Sequence, residues 1–525
     1  MPFYIKPESL DWALKHIENY GDTDIFPLPF EFEAIRLSWD SKIRNYLSKQ
    51  DIQQYRTRPY RRCLSPKHRF GFRISTQLDP FDMLIYTALV YDIGSDIESY
   101  RVPVSNQIVH SYRFNPDKDG RFFDTDVGYD SFIQQSKYFA FSGKFQKVVI
   151  ADIADFFPRI YFHPLEGALD TCTKKTDHAK AIKSLIKQWN FTISYGIPVG
   201  QAASRLIAEL VISDVDRSLM SERKVYCRFS DDYRIFCKDE RDAYESLAFL
   251  ANVLFENHGL TLQQHKTRIL SVQEFREKYL ETGASKERNS LTDRFKEILA
   301  DIGVDDWYEE IYYDDLDPET QKEIDSLNLA GILDEQIESE SDLDPNITKF
   351  VLRRLAQIND LKALPTVLNN MEVLYPVFKD ALAYITSIRR VSAKYRQELG
   401  KYLIDLIEKS FIGHLPFHKC WVINTFTRDK EWDNEDEFPA LYNSTNDEFS
   451  KRELMLAIGR AGHEHWFKTK KRDVFQFGPW ERRAFLAAAS CLPGDEPKHW
   501  YNSIYKQLDP LEQAVVDWAK ANPFR

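Results

Sequence analysis

The sequence predicts an α+β region followed by an all-α region. Three observations carry this reading. Short β-branched or alternating apolar runs, Lys147–Asp152, Val225–Phe229 and Tyr233–Cys237, fall between helical stretches in the first half. From about residue 347 the pattern is almost wholly helical, in pieces broken by Pro, Gly, Asp or Asn. Charge divides near the same place. Residues 1–300 carry 42 Lys+Arg against 41 Asp+Glu, and residues 301–525 carry 28 against 40.

At 525 residues the chain exceeds one ordinary core, and ~150 residues per domain suggests about three. Composition is that of a soluble globular protein, 43% hydrophobic and 29% charged. No run approaches the ~18 apolar residues of a membrane span. The opening Met1–Lys6 lacks the basic and apolar stretches of a secretory signal, so a cytoplasmic location without membrane attachment is expected. Cys63, Cys172, Cys227, Cys237, Cys420 and Cys491 form no Cys-x-x-Cys pair. That spacing argues against a zinc module or a disulfide framework, and fits a reducing compartment.

Residues 1–50 are expected to form an N-terminal helical extension, and residues 51–285 the α+β region. Within the latter, Arg56–Arg73 holds seven basic residues and no acid, with Tyr55, Tyr60, Phe70 and Phe72 interleaved. Cations for phosphates and rings for bases compose a single-strand binding surface, or else a solvated basic loop. Arg61, Arg62, Lys67, Arg69 and Arg73 are the candidate contacts. Lys147–Asp152 reads as a buried strand ending in an acid, and Gly196–Gly200 as a loop. Gln201–Leu219 reads as a helix with apolar residues at Ala203, Leu206, Ile207 and Leu210. The runs at 225–229 and 233–237 flank Ser230-Asp231-Asp232, a hairpin with acids at its tip. Ala243–His258 is a helix ended by Gly259. Helices are expected to cover one face of the sheet.

Residues 286–345 read as an acidic connecting segment. Positions 301–344 hold seventeen Asp/Glu and one basic residue, Lys322, with Trp307, Tyr308, Tyr312 and Tyr313 among them. They predict an acidic linker or a helical hairpin. Residues 346–525 predict stacked helical pairs in a HEAT-like repeat array, without a fixed-period signature.

Asp152, Asp231 and Asp232 are candidate metal ligands. Three carboxylates converging at strand ends suit Mg²⁺, which takes hard oxygen ligands and leaves positions for water and phosphate. Two such ions can activate an attacking hydroxyl and stabilise departing pyrophosphate. Without a cation, acids this close raise one another's pKa.

The order of four blocks carries a resemblance: Ala151-Asp-Ile-Ala-Asp-Phe-Phe-Pro-Arg-Ile160, Gly196-Ile-Pro-Val-Gly-Gln201, Arg228-Phe-Ser-Asp-Asp-Tyr233 and Gly259-Leu-Thr-Leu-Gln-Gln-His-Lys-Thr-Arg268. Together they resemble the palm of reverse transcriptases. The resemblance implies a right-hand fingers and palm fold. It makes Asp152, Asp231 and Asp232 the catalytic and metal-binding acids, with two Mg²⁺ or Mn²⁺ ions. Lys266 matches the lysine of the last block and implies a proton donor to pyrophosphate. Phe157 matches the steric gate under the sugar and implies a preference for dNTPs. Pro198, Gly200 and Gln201 are implied along nucleotide and template, and Arg113, in Ser111-Tyr-Arg-Phe114, on the triphosphate.

A palm followed by a helical-repeat domain is similar to the bacterial abortive-infection reverse transcriptases, AbiK-like and prophage-encoded. That likeness implies antiphage defence and homo-oligomers, trimers or hexamers. It also implies template-independent, protein-primed synthesis of single-stranded DNA covalently attached to the protein. Tyr20 and Tyr46 are candidate primers among 27 tyrosines. The alternatives are templated copying of an associated non-coding RNA, and a catalytically degenerate oligomeric scaffold. Arg460 and His465 match the spacing of a helical ribonuclease pair, or a packed helix end.

Overall fold

The computed structural model describes residues 2–23, 25–68, 71–280, 291, 294–295, 297–299, 301, 313–339, 343–428, 432 and 436–524. The chain divides into two units, one of Met1–Arg62 with Ile74–Thr282 and one of Cys63–Arg73 with Gly283–Arg525. The strands β1 (Arg61–His68) and β2 (Gly71–Gln77) form a two-stranded sheet.

The first unit is built on four antiparallel strands: β3 (Lys147–Asp152), β4 (Val225–Phe229), β5 (Asp232–Cys237) and β6 (Arg268–Ser271), in the order β4-β5-β3-β6. Val148, Ile150, Cys227, Phe236 and Leu270 face one core, with Phe132 and Ala140 of the helix Tyr129–Phe141 and with Val272, Phe275 and Leu280. Val149, Ile235, Tyr226 and Tyr233 are buried on the opposite face, where the helix Glu240–His258 packs on β3 and β5. Helices thus cover both faces, not the single face expected. The reason is visible in β3, whose residues 148 to 151 are all buried, as in a strand sheltered on both sides.

The N-terminal 50 residues belong to the first unit, and the helix Pro7–Tyr20 packs on the helix Pro80–Tyr100. The latter is buried over most of its length and apolar nearly all round, as a central helix must be. Asp79 caps it by accepting from the Phe81 backbone N–H, and Pro80 opens its first turn.

The described part of the second unit from residue 313 onward is helical. Six helices begin at Pro345, Phe378, Pro416, Glu448, Pro479 and Pro510, at intervals of 31 to 38 residues, and each packs on the next. Asp344, Asp447 and Asp509 cap three of them through their side chains. The described part of the acidic segment is largely helical too, as Pro318–Ser326, capped by Asp317, and Leu329–Glu338. Trp307, Tyr308 and Tyr312 lie outside the described residues. Among the described residues no helix is long and apolar enough to cross a membrane.

Candidate active site

β3 ends at Asp152, and its partner across the ladder on β5 is Asp232. Directly opposed residues of an antiparallel pair hold their Cβ atoms ~4.5–5.5 Å apart. β4 and β5 are joined through Ser230 and Asp231, with Phe229 opposite Asp232. Ser230 takes a left-handed backbone, φ 55°, as a two-residue hairpin turn demands. The Asp231 carbonyl accepts from Ile153 N at 3.1 Å, which ties the turn to the end of β3. Acids about eighty residues apart in the chain thereby share one sheet edge.

The segment after Gly259 closes on the same edge. Ala154 N donates to Thr261 O at 2.8 Å, and Gln263 N donates to Asp152 O at 2.7 Å. This seats Lys266, whose Nζ donates to Asp152 Oδ2 at 3.1 Å while the side chain stays 44% exposed.

Burial, with the charges of Asp152 and Asp231, pushes the Asp232 carboxyl up to about 6, against the pull of Arg234 and Lys266. The folded chain therefore keeps a proton that the unfolded chain has lost between about pH 4 and 6. Stability falls as pH rises through that window, and the loss is complete above it. Urea unfolding at pH 4.5 and 7 checks this. The Asp232→Asn variant is expected to lack this component of the slope and to be more stable than the parent at pH 7.

Among the described residues no three His, Cys, Asp or Glu side chains come together closely enough to hold a metal ion. The donor chemistry nevertheless fits a hard cation. Three carboxylates share the edge, they repel one another, and the Lys266 ammonium already lies against Asp152. To share an ion the acids have to turn toward a common point.

Phe156 is buried and Phe157 is partly exposed, on a short helix directly after β3. The Phe157 carbonyl accepts from Ile197 N at 3.1 Å and the Ile160 carbonyl from Gly196 N at 2.8 Å, which fastens the 196–200 loop beside it. Pro198 is buried. Gly200 has φ 118°, and a Cβ there would lie 2.3 Å from Thr23 Oγ1, so only glycine fits. Gln201 is buried and donates through Nε2 to Thr76 O at 2.8 Å. Pro198 and Gln201 thus point into the fold in this conformation.

Arg113 does as well. It is 2% exposed, with Nη2 donating to Val102 O at 2.6 Å and Nη1 3.2 Å from Glu98 Oε1. Burial and the neighbouring Arg101 push its guanidinium down to about 10. It presents no open surface to a triphosphate here.

The basic stretch separates in the same way. Arg61 is buried, with Nη2 donating to Gln77 Oε1. Arg62 is exposed, lies over the Tyr60 ring at 4.7 Å and donates to Asn190 Oδ1 at 2.6 Å. Lys67 and Arg73 are exposed, and Arg69 lies outside the described residues. Tyr20 is exposed and stacks on His16 at 5.7 Å, while Tyr46 is half-buried beside Phe81 at 5.8 Å. Arg460 ends one helix, donating to Thr427 O at 3.1 Å and lying over Phe524, while His465 is exposed on the next helix. The pair is therefore a packed helix end and not one helix face.

Sequence reasoning missed a buried ionic network behind the turn. Arg228 is fully buried. Its Nε and Nη2 donate to Asp216 at 2.8 and 2.6 Å, and Nη1 donates to Glu209 Oε2 at 2.9 Å and to Ser230 O at 3.1 Å. Glu209 also accepts from Arg101 at 2.7 Å and from Ser111 Oγ at 2.5 Å. Helical spacing gave no warning: Glu209 and Asp216, seven residues apart, share the side of that stretch away from Ala203, Leu206, Ile207 and Leu210, where solvent is the ordinary expectation.

Residues 106–303 match the family model described as Reverse transcriptase (RNA-dependent DNA polymerase). The chain thus carries a reverse transcriptase domain, and its span includes Asp152, Asp231, Asp232 and Lys266. Among solved structures, the chain is similar to telomerase from Candida albicans, solved in complex with the TWJ fragment of telomeric RNA. Identity is 10% and the TM-score 0.31, covering 80% of this chain and 72% of that one. No curated protein matches the chain.

Proposed function

We propose that this chain is a Mg²⁺-dependent DNA polymerase of the reverse transcriptase type that acts in antiphage defence. Its synthesis is template-independent and protein-primed, its substrates are dNTPs, and it works as a homo-oligomer, a trimer or hexamer. The observation that carries the polymerase reading is the register of Asp152 against Asp232, with Asp231 in the adjoining turn. Asp152 and Asp231 would hold both metal ions, with Asp232 as a weaker ligand. Bound there, the ions would supply an activated hydroxyl and charge stabilisation for departing pyrophosphate. Lys266, already at the edge, donates a proton to the leaving pyrophosphate oxygen. Phe157 lies under the sugar and excludes a 2′-hydroxyl. Residues 301–525, net −12 by their 28 basic and 40 acidic residues, would repel phosphate unless the basic residues line one groove, and such a groove in a HEAT-like array would shape a single-strand exit.

The matched description, RNA-dependent DNA polymerase, favours a second reading, copying of a bound RNA. One experiment separates the two. The purified protein is incubated with each labelled dNTP in turn, without template, and run on a denaturing gel. Label that stays with the protein band and survives ribonuclease pretreatment supports the first reading. Incorporation lost on ribonuclease treatment supports the second. No incorporation under any condition refutes both.

The sugar gate makes its own prediction. Phe157→Val is expected to raise ribonucleotide relative to deoxyribonucleotide incorporation by about 10–100-fold, the usual range for opening a steric contact. The ratio of kcat/KM for rNTP and dNTP measures it, and an unchanged ratio removes Phe157 from that role.

A further inference from the structure

The first unit holds a cavity of about 340 Å³ that no acid of the polymerase edge lines. Its wall is largely polar, with Gln50 and Gln54 beside the arginines; Tyr46 is half-buried beside Phe81 at 5.8 Å, and the Arg58 guanidinium lies over the buried Phe81 ring at 5.5 Å. Tyr55 lines it as well, with its hydroxyl fixed on Asp82 Oδ1 at 2.7 Å. Arg58 is held in place by Asp79, at 3.0 Å from Nε to Oδ1. Arg56 differs from these. It is exposed, it lines the cavity, and among the described residues its side chain has no hydrogen bond or ion pair. The one carboxylate on the rim, Asp51, is already engaged, accepting at Oδ1 from Phe3 N at 2.9 Å and Gln53 N at 3.1 Å.

The half-buried Tyr46 ring and the unpaired Arg56 guanidinium on the same wall suit a planar base joined to a phosphate. The volume lies at the lower end of small-ligand pockets, enough for one nucleotide and too small for a strand. We infer that this cavity, built by Tyr46, Phe81, Arg56 and Arg58, binds a single nucleotide 5′-phosphate, free or at the end of a strand. The base stacks on the Tyr46 side and the phosphate takes Arg56. This goes beyond the proposed polymerase activity and does not depend on it.

The test uses the full chain carrying Asp231→Ala, in EDTA, so that binding at the polymerase edge is disabled whether or not that reading holds. Calorimetric titration of that protein with dAMP is expected to show one site. Arg56→Ala is expected to weaken dAMP at least about tenfold, the loss of one charge-assisted contact. Tyr46→Ala is expected to weaken it several-fold, and melting curves confirm that both variants fold. Deoxyadenosine, without the phosphate, is expected to bind at least about tenfold more weakly than dAMP. A 5′-phosphorylated hexanucleotide that binds more tightly than dAMP identifies a strand end, and equal affinity identifies a free nucleotide. No dAMP binding at millimolar concentration, or Arg56→Ala within twofold of the parent, overturns the site. Inorganic phosphate binding as tightly as dAMP overturns the base-stacking part.

Discussion

Asp152→Asn and Asp231→Asn are each expected to abolish nucleotide incorporation, by at least about a thousandfold, while leaving the fold at least as stable as the parent. Both halves of this result follow from the same geometry. The register sets Asp152 against Asp232 and puts Asp231 in the adjoining turn, so three carboxylates crowd one edge. In the unliganded chain that crowding is a cost, visible in the Asp232 carboxyl held at about 6 by burial and its neighbours. Removing one charge relieves it. Under the proposed function the same carboxylates would hold the metal ions that stabilise charge on the transferring phosphoryl group. Single groups that stabilise charge there account for factors of about 10²–10⁵ in rate. Lys266→Ala removes only the ammonium beside Asp152 and is expected to cost about a hundredfold. Incorporation of labelled dNTP in Mg²⁺ and urea unfolding, run on the same preparations, separate the two effects. An Asp231→Asn enzyme that keeps more than a tenth of parental activity would remove this edge from the chemistry.

How much of this was legible beforehand depends on the kind of signal. The strands Lys147–Asp152, Val225–Phe229 and Asp232–Cys237 were readable because a buried ladder demands short apolar, β-branched runs, and a hairpin tip tolerates polar residues. The meeting of Asp152 with Asp231 and Asp232 rested on the order of four blocks. Local propensity does not pair strands about eighty residues apart. The burial of Arg113, Gln201 and Arg61 was not legible at all. Each is a polar residue whose side chain is held by a group distant in sequence, Glu98 or Val102, Thr76 and Gln77 respectively. A sequence reading assigns such residues to solvent or ligand by default, because nothing nearby in the chain reveals the partner. The second sheet face was missed for a related reason. Val149 and Val148 look alike in a run of apolar residues, and only the helix Glu240–His258 on the far side explains why both are buried. In the second half the helices were legible from their breaks and caps. Their succession at 31 to 38 residues was not, because the intervals vary by a full helical turn or more.

The network behind the turn sets the largest expected effect on stability. Arg228→Met leaves Asp216 and Glu209 buried with one fewer cation, and Asp216 loses a bidentate partner at 2.8 and 2.6 Å. Breaking a buried ion pair from one side costs about 3–5 kcal/mol, chiefly because the remaining charge has no water to turn to. Glu209 keeps Arg101 at 2.7 Å, so the stranded group is Asp216. A second change should therefore rescue the first. Asp216→Leu in the Arg228→Met background removes the orphaned carboxylate, and replacing both partners by apolar groups is often neutral. Urea unfolding of the first unit, followed by a probe within it, is expected to show the single variant destabilised by about that amount and the double variant recovering most of the loss. Activity should not recover with it. Arg228 Nη1 also donates to the Ser230 carbonyl at 3.1 Å, one residue before Asp231, and methionine cannot replace that bond. A double variant that regains stability but stays slow would show that the arginine holds the turn in its working geometry. One that regains both would confine Arg228 to neutralising its neighbours.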